Sequence, residues 1–261
     1  MPISLEYYDH PTLCHGQAWT ITDEDALAEQ IARVALGQSR HVQKIIAGTN
    51  VGPPASRASA AQGAINLLTV PSGEEPWHRD GWIFQVISWI AAQKADPTAL
   101  IRPPQMIHAL KGFDGLLLEL SAGEVVAATI FEDKASVGAR KTVRDLVWPE
   151  FKLLEQGDRE NVLVAEVVAL LETNRDVDPD RAIENVIWKN IRHYRVSITV
   201  GKSHCTTAGR LKLFKGYEEI VEGAVKKRRG EVVYIEHLRP WMSSLAEKSI
   251  AHVQAMVAAY V

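Results

Sequence analysis

Residues Gly112 to Lys134 read GFDGLLLELSAGEVVAATIFEDK, and their pattern decides the fold class. Leu116-Leu117-Leu118-Glu119-Leu120 and Val125 through Phe131 are apolar runs of strand length. Ser121-Ala122-Gly123-Glu124 between them supplies small, turn-forming residues, so the two runs are expected to form a hairpin. In an antiparallel hairpin the strand entering at Asp114 and the strand leaving at Glu132 return to the same edge of the sheet. Lys134 lies two residues beyond Glu132 and shares its strand face. Two carboxylates and an ammonium are therefore expected to converge.

Working outward, Asp80-Gly81-Trp82-Ile83-Phe84-Gln85-Val86-Ile87-Ser88-Trp89-Ile90-Ala91-Ala92 is apolar on most sides, which predicts a buried helix with Asp80 as its N-cap. Met106-Ile107-His108-Ala109-Leu110 reads as a first strand ahead of the hairpin. Beyond residue 141 helical spacing returns in Val143 to Gln156 and in Glu160 to Leu171. His193 to Val200 reads as a strand, Ala208 to Val221 as a helix and Val232 to Ile235 as a short strand. A closing helix over Pro240 to Ala259 turns Leu245, Ile250, Val253 and Val257 inward. Near the start, Thr22-Asp23-Glu24-Asp25 carries capping and acidic first-turn residues for a helix that aligns Leu27, Ile31 and Val34.

The stretch Gly52-Pro53-Pro54-Ala55-Ser56-Arg57-Ala58-Ser59 reads as a linker or surface loop. The expected division is a small N-terminal lobe over residues 1–55 and a main domain over 56–261 with a C-terminal helical elaboration. The order helix, three strands, helices, strand, helix gives an α/β fold class.

Composition excludes several classes. At 261 residues, 46% hydrophobic and 23% charged, the chain suits a globular protein with one main core. No run of some eighteen apolar residues occurs, so no membrane span is expected. Met1-Pro2-Ile3-Ser4-Leu5-Glu6 has neither a basic n-region nor an apolar h-region, which predicts a cytoplasmic location. Cys14 and Cys205 stand far apart, which excludes a disulfide framework and a cysteine-rich zinc site. A net charge of −3 gives no field of the kind that coats nucleic acid, although a local basic patch on an acidic protein still binds phosphates.

The convergence of Asp114, Glu132 and Lys134 suits phosphodiester hydrolysis. Hard carboxylate oxygens bind Mg²⁺ through one or two ligands and leave room for water and the scissile phosphate. Lys134 would orient that water or offset developing charge. Asp114 followed by Glu132-x-Lys134 on an apolar strand resembles the PD-(D/E)xK, restriction-endonuclease-like nuclease superfamily. The likeness covers roughly residues 80 to 200. It implies a mixed sheet flanked by helices, Mg²⁺ or Mn²⁺ dependence and endonuclease activity, with Asp114 and Glu132 as metal ligands, Asp133 offering its backbone carbonyl and Lys134 assisting the water. The chain departs from the pattern at Phe113, where proline is usual, and at Gln85, where the preceding helix commonly supplies a glutamate. Gln85 completes the catalytic set without charge, and Asp80, one turn earlier, is the substitute. The chain is also similar to effector subunits of bacterial anti-phage and restriction systems, of the Hachiman type, which implies a helicase or other defence-system subunit as partner.

Other features divide between function and plain packing. Arg140, Lys141 and Arg144 follow the motif closely enough to hold a phosphate backbone, or simply form a solvated helix start. The run Lys226-Lys227-Arg228-Arg229 is either a nucleic-acid contact or a partner contact. The histidines show no HExxH spacing. Trp82 and Trp89 share a helix face, and for them and Trp77 packing is favoured over base stacking. Gly201-Lys202-Ser203 lacks the upstream glycine of a P-loop. The motif does not separate DNA from RNA, and Gln85 in place of an acid equally fits a nuclease-like fold that binds nucleic acid, or serves assembly, without catalysis. Oligomerisation is left open.

Overall fold

In a computed structural model, residues 1–49, 52, 58–108, 112–172, 177–187, 189 and 191–258 are described. The chain forms a seven-stranded mixed sheet between two helical layers. The strands are β1 (Ile3–Asp9), β2 (His15–Ile21), β3 (Leu100–Ile101), β4 (Gly115–Ser121), β5 (Glu124–Lys134), β6 (Arg192–Val200) and β7 (Arg228–Tyr234), in the order β1-β2-β7-β6-β5-β4-β3. Strands β5, β6, β7 and β2 run parallel to one another, and antiparallel pairs close both edges.

One layer contains α1 (Glu24–Ala35), α2 (Ser39–Ile46), α3 (Ala58–Leu68), α4 (Trp77–Ala95) and α11 (Leu238–Ala258); the other contains α5 (Ala139–Thr142), α6 (Trp148–Glu155), α7 (Glu160–Leu171), α8 (Pro179–Ile187), α9 (Thr207–Phe214) and α10 (Tyr217–Ile220). Each layer encloses its own apolar cluster against one face of the sheet. α4 is buried along most of its length, which is why its sequence is apolar nearly all round. It starts at Trp77 rather than at Asp80, and Asp80 sits in its first turn. At α1 the expected cap forms: the Asp23 side chain accepts from Ala26 N at 3.0 Å, an interaction worth about 1 kcal/mol.

The hairpin follows its sequence. Ala122 and Gly123 have φ of 51° and 77°, the two consecutive positive angles of a type I′ turn that matches strand twist. Ser121 faces Glu124 across it. At the far end Gly115 pairs with Phe131, and a Cβ on Gly115 would lie 2.6 Å from the Phe131 ring. Glycine is needed there to bring Asp114 beside the end of β5.

Several expected elements differ. Residues 106–108 bend instead of forming a strand, and 109–110 lie outside the described residues. The strand ends at Ile101 because Pro103 and Pro104 offer no amide to the ladder. The helix expected over 143–156 contains a π-turn at Val143–Val147, in which Trp148 N–H reaches back to Val143 O. Pro149 follows directly, and the wider turn relieves the ladder that a proline cannot join. The helix expected over 208–221 is broken at Lys215, whose backbone leaves helical angles. β1 and β2 were not expected at all. They place the residues read as an N-terminal lobe in the same sheet as β7, while α1 and α2 join the cluster around α4. Of the expected linker, residues 53–57 lie outside the described residues.

Candidate functional site

Three elements meet at the C-terminal end of β5. Asp114 stands one residue before β4, Glu132 and Lys134 end β5, and Gln85 projects from the middle of α4. Gln85 Nε2 donates to Asp114 Oδ1 at 2.6 Å, and Asp133 N–H donates to Asp114 Oδ2 at 2.7 Å. Lys134 Nζ lies 2.5 Å from Glu132 Oε1 and 3.9 Å from Asp114 Oδ2. Arg102 fixes the approach to Asp114 by donating to the Phe113 carbonyl while it pairs with Glu166. The structure thus gathers Asp114, Glu132, Lys134 and Gln85 in one place.

Asp114, Lys134 and Gln85 line a cavity of about 240 Å³. Its opposite wall is the 105–108 segment, tied down by Trp82 Nε1 donating to Gln105 O at 2.6 Å and by His108 Nε2 against Leu67 O at 2.9 Å. Glu132 sits beside this cavity, under the Lys134 ammonium, rather than on its wall.

The charges are strained by burial and by each other. Burial, then the neighbouring Asp114 charge, pushes the Glu132 carboxyl well above the usual carboxylate range, although Lys134 pulls the other way. Burial opposes the Lys134 ammonium, but Glu132 and Asp114 more than offset this and hold it above the ordinary lysine value. Two carboxylates share one ammonium, so Asp114 and Glu132 compete for it and the site favours protonation of Glu132.

Asp133 points to the other face of β5. Its side chain accepts from Ser88 Oγ at 2.7 Å, and Ser88 Oγ also receives Arg195 at 3.0 Å. Arg195 and Glu231 are both fully buried and pair at 2.6 Å, and Arg229 reaches the second oxygen of Glu231. The Arg195 guanidinium lies 4.3 Å from the centre of the Phe131 ring. This chain of buried polar groups locks α4, β5, β6 and β7 together and reaches the cavity at Asp133, one of its lining residues. Sequence reasoning missed it. The signal available was a charged residue in the middle of an apolar strand, at Arg195 in β6 and Glu231 in β7.

Other residues singled out from the sequence have other partners. Asp80 does not substitute for Gln85: it is fully buried and held by Arg79 at 2.7 Å and by Arg239. Arg140 donates to the carbonyls of Leu213 and Lys215 at 2.8 and 2.9 Å, which fastens α5 to the end of α9. Arg144 pairs with Asp145 at 2.6 Å on the surface, and Lys141 is exposed. In the basic run, Arg228 is buried among the carbonyls of Thr12, Leu13, Val221 and Gly223 and Arg229 binds Glu231, so half of it is architectural.

The donor set can be matched to a metal by its chemistry. Among the described residues no three His, Cys, Asp or Glu side chains gather into a cage. Two carboxyl groups beside one ammonium offer oxygen donors that fit a hard cation which takes one or two protein carboxylates and retains water, as Mg²⁺ and Mn²⁺ do, better than a zinc site with four protein ligands. No described helix is long and apolar enough to cross a membrane. The chain matches no protein-family model, and no curated protein matches it.

Proposed function

We propose that the protein is a divalent-cation-dependent phosphodiesterase acting on nucleic acid, with a restriction-endonuclease-like core. The observation that carries this reading is the meeting of Asp114, Glu132 and Lys134 at one sheet end, with Gln85 on the Asp114 carboxylate. The run of elements supports it: α4, then β3, β4 and β5 antiparallel in sequence, then helices leading to a parallel β6. A mixed sheet flanked by helices is what the PD-(D/E)xK resemblance implies.

Asp114 and Glu132 would hold Mg²⁺ or Mn²⁺, with the backbone carbonyl of Asp133 as a third donor. When bound, the cation supplies Lewis-acid stabilisation of charge on the phosphate and lowers the pKa of a neighbouring water. Gln85 and the Asp133 amide fix the rotamer of Asp114, so that its carboxylate is preorganised. Lys134 moves its ammonium from Glu132 to the phosphate or to the attacking water. DNA as the substrate, and a defence-system helicase as partner, rest on the resemblance of the motif.

A second reading has its own observation. Both oxygens of Asp114 already accept protein donors, and Lys134 already balances Glu132, which suits a catalytically silent subunit that binds nucleic acid. Labelled plasmid, linear DNA and RNA incubated with Mg²⁺, Mn²⁺ or chelator separate the two. The phosphodiesterase reading expects cleavage that requires the cation and falls on the order of 10³-fold in Glu132→Ala and in Lys134→Ala, about 4 kcal/mol of transition-state stabilisation. Cleavage that survives both substitutions sinks the site; binding without cleavage under every condition establishes the silent subunit.

A further inference from the structure

The three tryptophans at α4 have different fates. Trp82 and Trp89 are buried, whereas Trp77 is 55% exposed in the first turn. It stands at the mouth of the cavity that holds Asp114 and Lys134. The Arg239 guanidinium lies 4.6 Å from the centre of the Trp77 ring. Arg239 is itself fixed by Asp80 and by the carbonyl of Ala135, the residue that follows Lys134. The indole is thus anchored from behind to the end of β5, and the remainder of the ring is open.

The path from this ring to the carboxylates is clear. Trp77, Gly81 and Gln85 recur at i, i+4 and i+8 along one side of α4, a rise of about 12 Å. Gly81 leaves the floor between them vacant, since a Cβ there would meet no atom within 4 Å. An exposed aromatic face, a cation behind it and an open channel to a phosphodiesterase-like site are the parts of a single-strand stacking platform.

We infer that Trp77, backed by Arg239, stacks on an unpaired nucleobase, so that the strand entering the cavity is single-stranded: a free strand, an overhang or a frayed end. The inference rests on the nucleic-acid phosphodiesterase reading above. A base inside a duplex has both faces covered by its neighbours and offers none to a side-wall indole, whereas an unpaired base does. A protein partner would also favour an exposed tryptophan. The shared cavity with Asp114 and Lys134, and the guanidinium on the ring, favour a base joined to a phosphate.

Fluorescence anisotropy with labelled oligothymidylate and with a matched duplex, in chelator so that nothing is cut, tests this. The wild-type protein is expected to prefer the single strand. Trp77→Ala is expected to bind it roughly 5- to 150-fold more weakly with duplex binding little changed, and Trp77→Phe to keep most of the affinity. Gly81→Leu, which blocks the channel, is expected to weaken single-strand binding while the ring remains. Equal single-strand binding by wild type and Trp77→Ala, a preference for duplex, or no binding by wild type would each overturn the inference. Trp77-dependent single-strand binding by a protein that cleaves nothing keeps the inference and sinks the phosphodiesterase reading. Duplex cleavage indifferent to Trp77 does the reverse.

Discussion

Strand β5 delivers charge to both faces of the sheet within three residues; burial raises both the Glu132 and the Asp133 carboxyls, and the two faces differ in the partners they supply. Glu132 and Lys134 go to a side where their chains are 15% and 28% exposed, while Asp133 goes to a side that ends in Arg195 and Glu231, both 0% exposed. On the sealed side acids and bases alternate: Asp133, Arg195, Glu231, Arg229. On the open side Asp114 and Glu132 share Lys134 alone. Burial therefore does not separate the two sides. The balance of partners does: two carboxyls that share one ammonium are costly to keep, which the proposed function expects where a ligand completes the set.

The widest separation between the two faces should come from Arg195→Leu against Glu132→Gln. Removing one partner of a buried pair costs about 3–5 kcal/mol, which lowers the melting temperature by roughly 6–20 °C in a protein of this size. Glu132→Gln removes a carboxylate that burial and Asp114 disfavour, so its melting temperature should stay at or above that of wild type while cleavage is lost. Thermal denaturation of both variants decides it, and an Arg195→Leu protein that melts like wild type would break the comparison.

Ser88→Ala should show a smaller effect that crosses from one face to the other. The hydroxyl joins Asp133 to Arg195, so its loss should cost about 1–3 kcal/mol. Since the Asp133 amide holds Asp114, cleavage should also fall roughly 10- to 100-fold. A stability loss with unchanged cleavage would show that the sealed network does not position the open site.

The smallest effect concerns acid. Burial pushes Glu231 up, but Arg195 and Arg229 more than offset this and leave it below the usual carboxylate value. A depressed carboxylate contributes stability that is present above its unfolded pKa and is lost as pH falls through its folded one. Urea unfolding at stepped pH should show wild type losing stability more steeply than Glu231→Gln as pH falls below the ordinary glutamate value of about 4.3. Parallel slopes would mean that the pair does not hold Glu231 ionised.

The open site was legible because its information is local. Asp114, the turn at Ala122-Gly123, and Glu132-x-Lys134 lie within one hairpin, where alternation and turn chemistry fix which side chains meet. Gln85 was legible only through its place on the preceding helix. What stayed hidden is paired across long stretches of chain. Arg195 and Glu231 sit on neighbouring parallel strands, whose register no hairpin turn sets. Asp80 read as a cap or a spare ligand because nothing near it in sequence announces Arg239. The exposure of Trp77 depends on where α4 begins, and Pro76 starts the helix one turn before Asp80.

The pairing of β2 with β7 joins the two most distant parts of the sheet in sequence and is expected to set the tempo of assembly. His15 lies opposite Arg229, and Ala18 opposite Val232. Synthesis delivers the β1–β2 hairpin first and its neighbour in the sheet far later, so the inner edge of β2 must wait while α1 through β6 are made. Such a non-local closure slows folding, and the waiting edge is a template for wrong strand partners. Refolding should therefore be limited by the docking of that hairpin, and a ribosome-bound chain stalled before Arg228 should present the edge that the finished sheet conceals.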